Sequence, residues 1–575
     1  MANYWHDISH CYFIRIVIKM NIIKRLQGKF GKEILEIKEP VKGKIYLTIP
    51  KTGILNFAEY IFNELKGRFV ISVGTDTRSI SNDYTITYIF SLDKEKTFIS
   101  LQAHVKNDDL TIDSITPIVP GANWAEREVY DMVGVYPKGH PDPRRFILAD
   151  DWPDGVYPLR KDFPYDKKPE SAPEMKVPLK KTSEKSTIIS LGPFFPVLEE
   201  PAYFRLFVEG EQVVGCDYRG SYNHRGIEKI GDSKLTYNQI PFIAERICGI
   251  CGFIHSTCYC EAVEEAAEIE VPLRAKYIRT IMLELERIHS HPLWLGIAGH
   301  IIGFETVLMQ TWRMREPVMW LCEAISGNRK TYGMNIVGGV RRDIPKDLHP
   351  KIMDVLNTLE KEWRTLLKAI QGDTTLMMRL KNVGRLSNED ARKICVTGPT
   401  ARGSGVRIDS RFDHPYAAYA EMGFKEFVSY PDGDTLARTL VRLEETLISI
   451  DIIKRALQEI PEGPIIAEIT EEIPPGKEAV RVVEAPRGEA IHYVMTGPDN
   501  RPFRWRVRAP TYANLQAIPV MIQGASLADV PITIGSIDPC FSCTERMIIV
   551  DKKTGKERVI TQKELLEYSI KEKLK

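Results

Sequence analysis

Two pairs of cysteines in this chain have the spacing of metal ligands. Cys248 and Cys251 lie in the stretch ERICGICGFIH, and Cys540 and Cys543 lie in the stretch DPCFSCTER. In each pair two residues separate the cysteines, a gap that lets both sulfurs reach one metal ion. Thiolates are soft ligands, and they select zinc, copper(I), iron–sulfur clusters or nickel over magnesium and calcium. The four cysteines therefore predict one shared metal site.

Two other uses of paired cysteines fit this chain less well. A zinc ribbon places its pairs about 15–20 residues apart, whereas hundreds of residues separate these pairs. A disulfide framework is disfavoured because ten cysteines in 575 residues are few and no secretory signal accompanies them. The other cysteines are interpreted as small buried apolar side chains. They are Cys11, Cys216, Cys258, Cys260, Cys322 and Cys395.

The composition is that of an ordinary globular chain. Lys and Arg number 78 and Asp and Glu 77, so the charge balance predicts no nucleic-acid partner. No apolar run is long enough to cross a bilayer. The stretch from Cys11 to Met20 is apolar but interrupted by Arg15, so it is interpreted as a first strand and not as a leader. Either Met1 or Met20 is the start, and we expect a reduced, cytoplasmic protein.

Residues 42 to 163 show an α+β pattern. Apolar residues at helical spacing predict one helix between Gly53 and Phe69. Stretches rich in β-branched and aromatic residues predict an antiparallel sheet beside it. These stretches are residues 69–73, 84–92, 98–105 and 110–117. The segment from Tyr165 to Ser186 is rich in Lys, Glu and Pro without apolar periodicity, which is typical of a linker.

The second part of the chain is predicted to be mainly helical after short strand-like runs between Ile188 and Gly215. One helix is expected to begin near Pro272, and an apolar stripe from Ile352 to Ile370 indicates another. A third has Asp434 as its N-cap and a stripe of Leu and Ile that runs on to Ile450. Helices of this kind form bundles that can hold a buried site between them.

The cysteine motifs closely resemble the N-terminal and C-terminal signatures of the nickel–iron hydrogenase large subunit. The ending DPCxxCTER is similar to that of the membrane-associated, energy-converting branch, which includes the formate hydrogenlyase large subunit. The stretch NWAEREVYDMVGV, which begins at Asn123, and the stretch PLRKDFP, which begins at Pro158, resemble the 30-kDa subunit of respiratory complex I. The tandem order of the two parts also matches the fused formate hydrogenlyase large subunit.

The resemblance implies a domain organisation. An α+β domain of the complex I 30-kDa type is expected at 1–164 and a linker at 165–186. A mainly α-helical domain of the nickel–iron hydrogenase large-subunit and complex I 49-kDa type is expected at 187–546. A C-terminal extension at 547–575 completes the chain.

The resemblance also implies a metal centre. In this family four cysteine sulfurs hold nickel, and two of them bridge to an iron that carries carbonyl and cyanide ligands. Carried over by position, Cys248 and Cys540 are the terminal nickel ligands, and Cys251 and Cys543 are the bridging pair. The implied activity is the reversible formation of dihydrogen from two protons and two electrons, with hydrogen evolution as the expected direction.

Further site residues follow from the same resemblance. Arg487, in the stretch EAPRG, is expected to overhang the open side of the metal pair, where a fixed cation would polarise hydrogen. Glu200 is expected to relay protons, with Glu199 as the alternative. Glu228 matches a magnesium ligand of related enzymes, but Arg546 replaces the histidine that completes that site, so magnesium is disfavoured. An ion pair of Glu228 with Arg546 is expected in its place.

The family relationship implies partners and processing. An endopeptidase is expected to cut between Arg546 and Met547 after nickel-insertion proteins have loaded the metal, and a plain solvated terminal helix is the alternative reading of the tail. No set of cysteines remains for an iron–sulfur cluster, so electrons are expected from an iron–sulfur small subunit and ferredoxin-like subunits. Integral membrane subunits would hold the chain on the inner face of the cell membrane. Formate, carbon monoxide and ferredoxin all remain open as the electron donor.

Two rival functions are compatible with parts of this sequence. The first is a complex I-like NADH/quinone oxidoreductase subunit without nickel, because its quinone-site subunit shares much of this pattern. Those relatives lack the four cysteines and carry a quinone-binding histidine where this chain has Phe195, although Tyr237 matches their quinone tyrosine. The second rival is a non-catalytic zinc protein, which metal analysis would distinguish.

Overall fold

The computed structural model describes residues 22–167, 169–170, 172, 180, 185–192, 202–221, 224–469 and 472–541, and the backbone of 549–550 and 557–558. The chain divides into two compact units. The first comprises Met1–Pro143 with Leu159–Asp162, and the second comprises Arg144–Pro158 with Phe163–Lys575. The linker predicted at 165–186 lies largely outside the described residues.

The first unit contains a five-stranded sheet with the strand order β1-β2-β5-β4-β3. The strands of this sheet are β1 (Glu36–Val41), β2 (Lys44–Ile49), β3 (Arg68–Asp76), β4 (Asp83–Leu92) and β5 (Thr97–Lys106). The unit has two further strands, β6 (Thr111–Asp113) and β7 (Tyr136–Lys138). Its helices are α1 (22–30), α2 (Ile54–Glu59), α3 (Arg78–Ser81) and α4 (Asn123–Val133).

The strands predicted at 69–73, 84–92 and 98–105 are present as β3, β4 and β5, and they pair antiparallel as predicted. The sheet also contains β1 and β2, which were not predicted. β2 and β5 run parallel, because the chain passes through α2, β3 and β4 before β5 enters beside β2. The last predicted strand, at 110–117, shrinks to β6, which pairs with β7 in a separate small sheet. The predicted helix after Gly53 consists of α2 and a π-helical continuation, Tyr60–Glu64.

The second unit is mainly helical and has two three-stranded antiparallel sheets. Its helices are α5 (Ile227–Ser233), α6 (Ile240–Ala244), α7 (Gly252–Ala266), α8 (Leu273–Ile301), α9 (Glu305–Ser326), α10 (His349–Gly372), α11 (Thr374–Leu380), α12 (Asn388–Ile394), α13 (Gly398–Arg402), α14 (Ser410–Asp413), α15 (Thr435–Glu459), α16 (Pro510–Asn514), α17 (Ile518–Met521) and α18 (Val530–Ser536). Its strands are β8 (Thr187–Leu191), β9 (Tyr203–Glu209), β10 (Gln212–Arg219), β11 (Asn335–Ile336), β12 (Gly339–Val340), β13 (Glu478–Ala485), β14 (Gly488–Thr496), β15 (Pro502–Arg508), β16 (Ile549–Val550) and β17 (Glu557–Arg558).

The core of the second unit lies where helices meet the sheet of β13, β14 and β15. α8 packs against α9 and α15, and α7 packs against β13 and β14. Almost every residue of α7 is buried, because the helix is covered by this sheet, by α6 and by α8. A helix enclosed in this way can hold its side chains in fixed positions, and α7 begins directly after the first cysteine pair.

The strongest helix predictions are confirmed. Asp434 caps α15, and its carboxylate accepts a hydrogen bond from the backbone N–H of Ala437 at 2.8 Å. Pro272 directly precedes α8. α10 buries the stripe that begins at Ile352. In the part of the chain that the structure describes, no helix is both long and apolar enough to cross a membrane.

Candidate metal centre

The structure brings together the first cysteine of each predicted pair. Cys248 lies in the loop between α6 and α7, and Cys540 lies in the segment that follows α18. Their sulfurs are 3.4 Å apart, although 292 residues separate them in the sequence. Both side chains are buried. The two motifs therefore meet in one buried place, which local sequence could not demonstrate.

The loop at Cys248 is shaped to favour a negatively charged sulfur. The backbone N–H groups of Ile250 and Cys251 point to Cys248 Sγ at 3.4 and 3.3 Å. Hydrogen bonds of this kind stabilise a thiolate relative to a thiol. A Cβ on Gly252 would lie 2.5 Å from the carbonyl oxygen of Glu245, so only glycine allows the chain to turn this tightly into α7.

Cys251 is the third predicted ligand and is also buried. A hydrogen bond with Cys248 and burial together raise the pKa of its thiol well above the usual range. A buried thiol of this kind loses its proton when a metal cation binds to its sulfur. The buried cysteines are therefore suitable ligands for a soft metal. Among the described residues no complete group of three or more His, Cys, Asp or Glu ligands is arranged around a metal position. The fourth predicted ligand, Cys543, lies outside those residues.

A buried ion pair holds the backbone just before Cys540. Arg487 donates from Nε to the carbonyl oxygen of Asp538 at 2.6 Å and from Nη2 to its Oδ1 at 2.9 Å. The backbone φ of Asp538 is 55°, which residues other than glycine seldom adopt. Because Asp538 stands two residues before Cys540, Arg487 holds the bend that positions this cysteine.

The guanidinium of Arg487 stays charged despite complete burial. Burial acts to lower its pKa, but Asp538, together with the sulfurs of Cys248 and Cys540, outweighs burial and raises the pKa well above the usual range. Nη1 of Arg487 has no hydrogen-bond partner among the described residues. The side chain is therefore a fixed cation near the cysteines, and the NH₂ group of its Nη1 is left to donate.

The turn that carries Arg487 is supported by distant residues. Arg487 is one of two residues joining β13 to β14. Arg287 of α8 donates to the carbonyl oxygen of Glu484 at 2.6 Å, and Asn514 of α16 donates to the carbonyl oxygen of Arg487 at 3.1 Å. These contacts fix the backbone on both sides of the arginine. They bring parts of the chain that are far apart in sequence to one turn.

Sequence reasoning missed three residues that shape the site. Asp538 binds Arg487, Asn514 holds its turn, and the hydroxyl of Thr511 accepts a hydrogen bond from the backbone N–H of Cys540 at 3.1 Å. Asp538 lies inside the stretch DPCFSCTER, so its position was the one available signal. Asn514 and Thr511 have no local signature, because their roles depend only on tertiary contacts.

Glu228 is surrounded by arginines. Its Oε1 accepts from Arg506 Nη1 at 2.9 Å and from the backbone N–H of Val507 at 3.0 Å, and its Oε2 lies 2.8 Å from Arg504 Nη2. Burial acts to raise its pKa, but these two arginines outweigh burial and lower it. The sequence predicted an ion pair between Glu228 and Arg546, but the described ion-pair partners of Glu228 are two arginines of β15. Arg546 itself lies outside the described residues.

Several predicted residues also fall outside the described part of the chain. They are Glu199, Glu200, Phe195, Cys543, Arg546 and Met547. Within the C-terminal extension the backbone of β16 and β17 forms a short antiparallel pair. The proton relay and the processing site therefore stay predictions.

The remaining cysteine and tyrosine candidates have structural surroundings. Cys258 and Cys260 are fully buried in α7, and the thiol of Cys258 donates to the carbonyl oxygen of Arg481 at 3.2 Å. The hydroxyl of Tyr237 donates to the carbonyl oxygen of Arg501 at 2.9 Å and accepts from the backbone N–H of Gly497 at 3.1 Å. Tyr237 therefore supports the hairpin between β14 and β15.

Comparison with protein families matches three models. The respiratory-chain NADH dehydrogenase 30 Kd subunit matches residues 47–169, and the corresponding 49 Kd subunit matches 302–481 and 469–546. The nickel-dependent hydrogenase model matches residues 225–296, which include the first cysteine pair. The chain is thus similar to complex I subunits of the 30-kDa and 49-kDa types in that order.

Individual proteins extend these matches. Formate hydrogenlyase subunit 5 of Escherichia coli is 39% identical over 95% of this chain and 97% of its own. Membrane-bound hydrogenase subunit alpha of Pyrococcus furiosus is 44% identical over 66% of this chain and 92% of its own. Among solved structures, a chain of the membrane-bound sulfane sulfur reductase, an archaeal respiratory membrane complex, matches with a TM-score of 0.59 and 30% identity. That match covers 63% of this chain and 99% of the other.

Proposed function

The chain belongs to the large-subunit family of membrane-associated nickel–iron hydrogenases of the formate hydrogenlyase type, and from this premise we propose how its residues carry the hydrogenase reaction. As the catalytic subunit it interconverts dihydrogen with two protons and two electrons. The observation that supports this proposal most strongly is the 3.4 Å approach of Cys248 Sγ and Cys540 Sγ, in a buried place next to a fixed arginine.

The four cysteines hold the metals. Cys248 and Cys540 would hold nickel alone, and Cys251 and Cys543 would hold nickel together with an iron that carries carbonyl and cyanide ligands. When bound, this centre supplies the place where protons and electrons combine. The backbone N–H groups at Cys248 support this role, since they favour a thiolate before any metal arrives.

Arg487 supplies a fixed positive charge. Its bonds to Asp538 stop the guanidinium from rotating, and its Nη1 group remains available to a ligand on the open side of the site. A donor that is already in place stabilises developing negative charge without reorganisation, which is the main source of electrostatic catalysis. Glu200, or Glu199 in its place, passes protons between a cysteine sulfur and the surface.

Glu228 serves a structural purpose in this proposal. Arg504 and Arg506 already balance its charge, so a magnesium ion would have to displace two cations held by the same strand. Displacement of an existing buried ion pair is unfavourable because it leaves charges uncompensated. We therefore assign no magnesium ion to this residue.

The chain works as part of a larger assembly. One relative is named as a subunit of formate hydrogenlyase and another as a subunit of a membrane-bound hydrogenase. Electrons arrive from an iron–sulfur subunit, since among the described residues no three of the other cysteines form a metal-binding group. Ferredoxin-like and integral membrane subunits complete the complex on the inner face of the membrane. Nickel-insertion proteins load the site, and an endopeptidase then cuts between Arg546 and Met547.

The complex I-like alternative has less support. Its family models match both units of the chain, but the cysteine pairs serve no purpose in a quinone reductase. Tyr237 occupies the quinone-tyrosine position, but its hydroxyl forms hydrogen bonds with two backbone groups of the β14–β15 hairpin. A non-catalytic zinc protein is disfavoured because a structural zinc site does not need a buried donor such as Arg487 Nη1, which has no partner among the described residues.

Metal analysis and infrared spectroscopy of the purified complex test the proposal. We expect nickel and iron in the preparation, hydrogen evolution with reduced viologen, and carbonyl and cyanide stretching bands in a window where protein is nearly silent. Zinc without nickel would support the zinc protein. Quinone reduction without nickel would support the complex I-like alternative.

A further inference from the structure

Three aromatic side chains form a buried hydrogen-bonded line beside the cysteines. Trp505 lies on β15, His492 on the neighbouring β14, and His255 in the first turn of α7. None of the three side chains is reached by solvent. The nitrogen Nε1 of Trp505 is 3.0 Å from His492 Nδ1, and His492 Nε2 is 3.1 Å from His255 Nδ1.

The tryptophan decides the direction of this line. An indole N–H can only donate, so His492 Nδ1 must accept and therefore carries no proton. An imidazolium has two N–H donors and no acceptor, so a ring that accepts a hydrogen bond is neutral. A neutral imidazole has one N–H group, which places the proton of His492 on Nε2. That group donates to Nδ1 of His255, and the proton of His255 must then be on Nε2.

The line ends at a donor that has no partner. Nε2 of His255 is buried and makes no hydrogen bond to any of the described residues. An unpaired buried donor destabilises the folded state, so a folded protein normally supplies an acceptor. Cys251 is the residue directly before α7, and His255 lies in the first turn of that helix. The charge of the Cys248 sulfur also acts on the His255 ring.

We propose that Trp505 and His492 are positioning residues that hold His255 in the Nε2–H form, so that it donates to an acceptor at the metal centre. The acceptor is a thiolate sulfur of the cysteine site, and this part of the inference rests on the proposed function. The structure needs the tryptophan for polarity and not only for volume. With the opposite tautomer, His255 would present a lone pair to an anionic sulfur and repel it.

Direct observation of the protons tests the first half of the inference without any metal. In the protein with ¹⁵N-labelled histidine, solid-state NMR distinguishes protonated from bare ring nitrogens, and His255→Gln identifies the signals of His255. We expect a bare Nδ1 and a protonated Nε2. A proton on Nδ1 of His255 in the wild-type protein would overturn the inference, whether or not any variant folds.

Two substitutions of His492 separate polarity from packing. Gln can accept from Trp505 with its oxygen and donate to His255 with its nitrogen, so His492→Gln should keep the wild-type tautomer. His492→Phe fills the space but cannot do either, so His255 should become a mixture of tautomers. Tyr259→Phe is the matched control, because this ring packs against His492 and Trp505 and its hydroxyl has no partner among the described residues.

Infrared spectra of the loaded enzyme test the second half. An N–H donor withdraws electron density from the sulfur and so from the iron. Its loss should therefore shift the carbonyl band to lower wavenumber in His492→Phe, while His492→Gln and Tyr259→Phe stay at the wild-type position. Unmoved bands in His492→Phe would overturn the contact with the sulfur. A wild-type protein without nickel or carbonyl bands, but with the expected tautomer, would instead refute the proposed function.

Discussion

One helix of this protein carries a glutamate that is kept charged and, two residues later, a glutamate that is kept neutral. Glu284 and Glu286 of α8 are both completely buried. Glu284 lies 3.2 Å from guanidinium nitrogens of Arg287 and of Arg411. Glu286 accepts hydrogen bonds from the backbone N–H groups of Phe253 and Ile254, at 3.0 and 2.9 Å, and has no arginine beside it in the described ion pairs.

The pKa values of the two carboxyls shift in opposite directions. Burial acts to raise both, but the two arginines outweigh it for Glu284 and lower its pKa below the usual value. For Glu286 burial prevails over the backbone hydrogen bonds and raises the pKa to about 8. Equal burial therefore leads to opposite charge states, and the partners decide which one is adopted.

The two glutamates mark two kinds of support for the metal site. On the charged side, Arg287 links Glu284 to the turn of Arg487, which is itself ion-paired with Asp538. On the neutral side, Glu286 holds the start of α7, which carries His255. The charged side supplies a fixed charge, and the neutral side supplies a directed hydrogen-bond donor. Substitutions on the two sides should therefore differ in the size of their effect.

The largest effect is expected from removing a ligand that both sides support. Cys540→Ser should lose nickel and all measurable hydrogen evolution while the protein stays folded, because a hydroxyl is a poor substitute for a soft thiolate. Cys260→Ala is the control, since this cysteine is equally buried but lies in the packing of α7. Metal analysis and a viologen assay measure both quantities. Wild-type nickel content in Cys540→Ser would contradict the assignment of this ligand.

The next effect concerns the charged side. Arg487→Lys keeps the charge but loses the two-point contact with Asp538, so hydrogen evolution should fall roughly 10²–10³-fold with nickel retained, the scale for removing one preorganised donor. Arg508→Lys is the control, because Arg508 is equally buried and ion-paired with Glu489 at 2.6 Å. An equal loss in both variants would mean that only general core damage was measured.

The comparison of the two glutamates predicts opposite pH trends in stability. The folded pKa of Glu286 is raised, so its contribution is present below the unfolded value of 4.5 and is lost as the pH rises toward 8. The folded pKa of Glu284 is lowered, so its contribution is present above 4.5 and is lost as the pH falls.

Glutamine variants measure these trends. Between pH 4.5 and 8, the thermal midpoint of wild type should fall relative to Glu286→Gln, which imitates the neutral acid. Glu284→Gln should be less stable than wild type at neutral pH by about 3–5 kcal/mol, the usual cost of breaking a buried ion pair. That deficit should shrink in acid. Parallel trends in the two variants would remove the distinction between the two sides.

The smallest effect is expected from magnesium. Chelation of magnesium should leave the thermal midpoint and the hydrogenase activity unchanged, because Arg504 and Arg506 already neutralise Glu228. Glu228→Gln, by contrast, should lower the midpoint, since both arginines lose this carboxylate. A midpoint that falls on chelation and recovers with added magnesium would place a metal ion at Glu228 after all.

Some features of this protein could be read from short stretches of sequence. The capping of α15 by Asp434 and the buried stripe of α10 depend on residues three or four positions apart, and both are present. The strand β2 and its parallel pairing with β5 were both missed, because strand neighbours depend on the course of the chain between them. The pattern within a strand does not contain that information.

The sequence by itself determined the type of chemistry, because two cysteine pairs select soft metals through ligand type and local spacing alone. Only the tertiary structure decided the electrostatics around them. The pairing of Arg487 with Asp538, the arginines at Glu228 and the line from Trp505 to His255 each join distant segments. The physical reason is that a charge state or tautomer depends on burial and on the nearest partner, and both are set by packing.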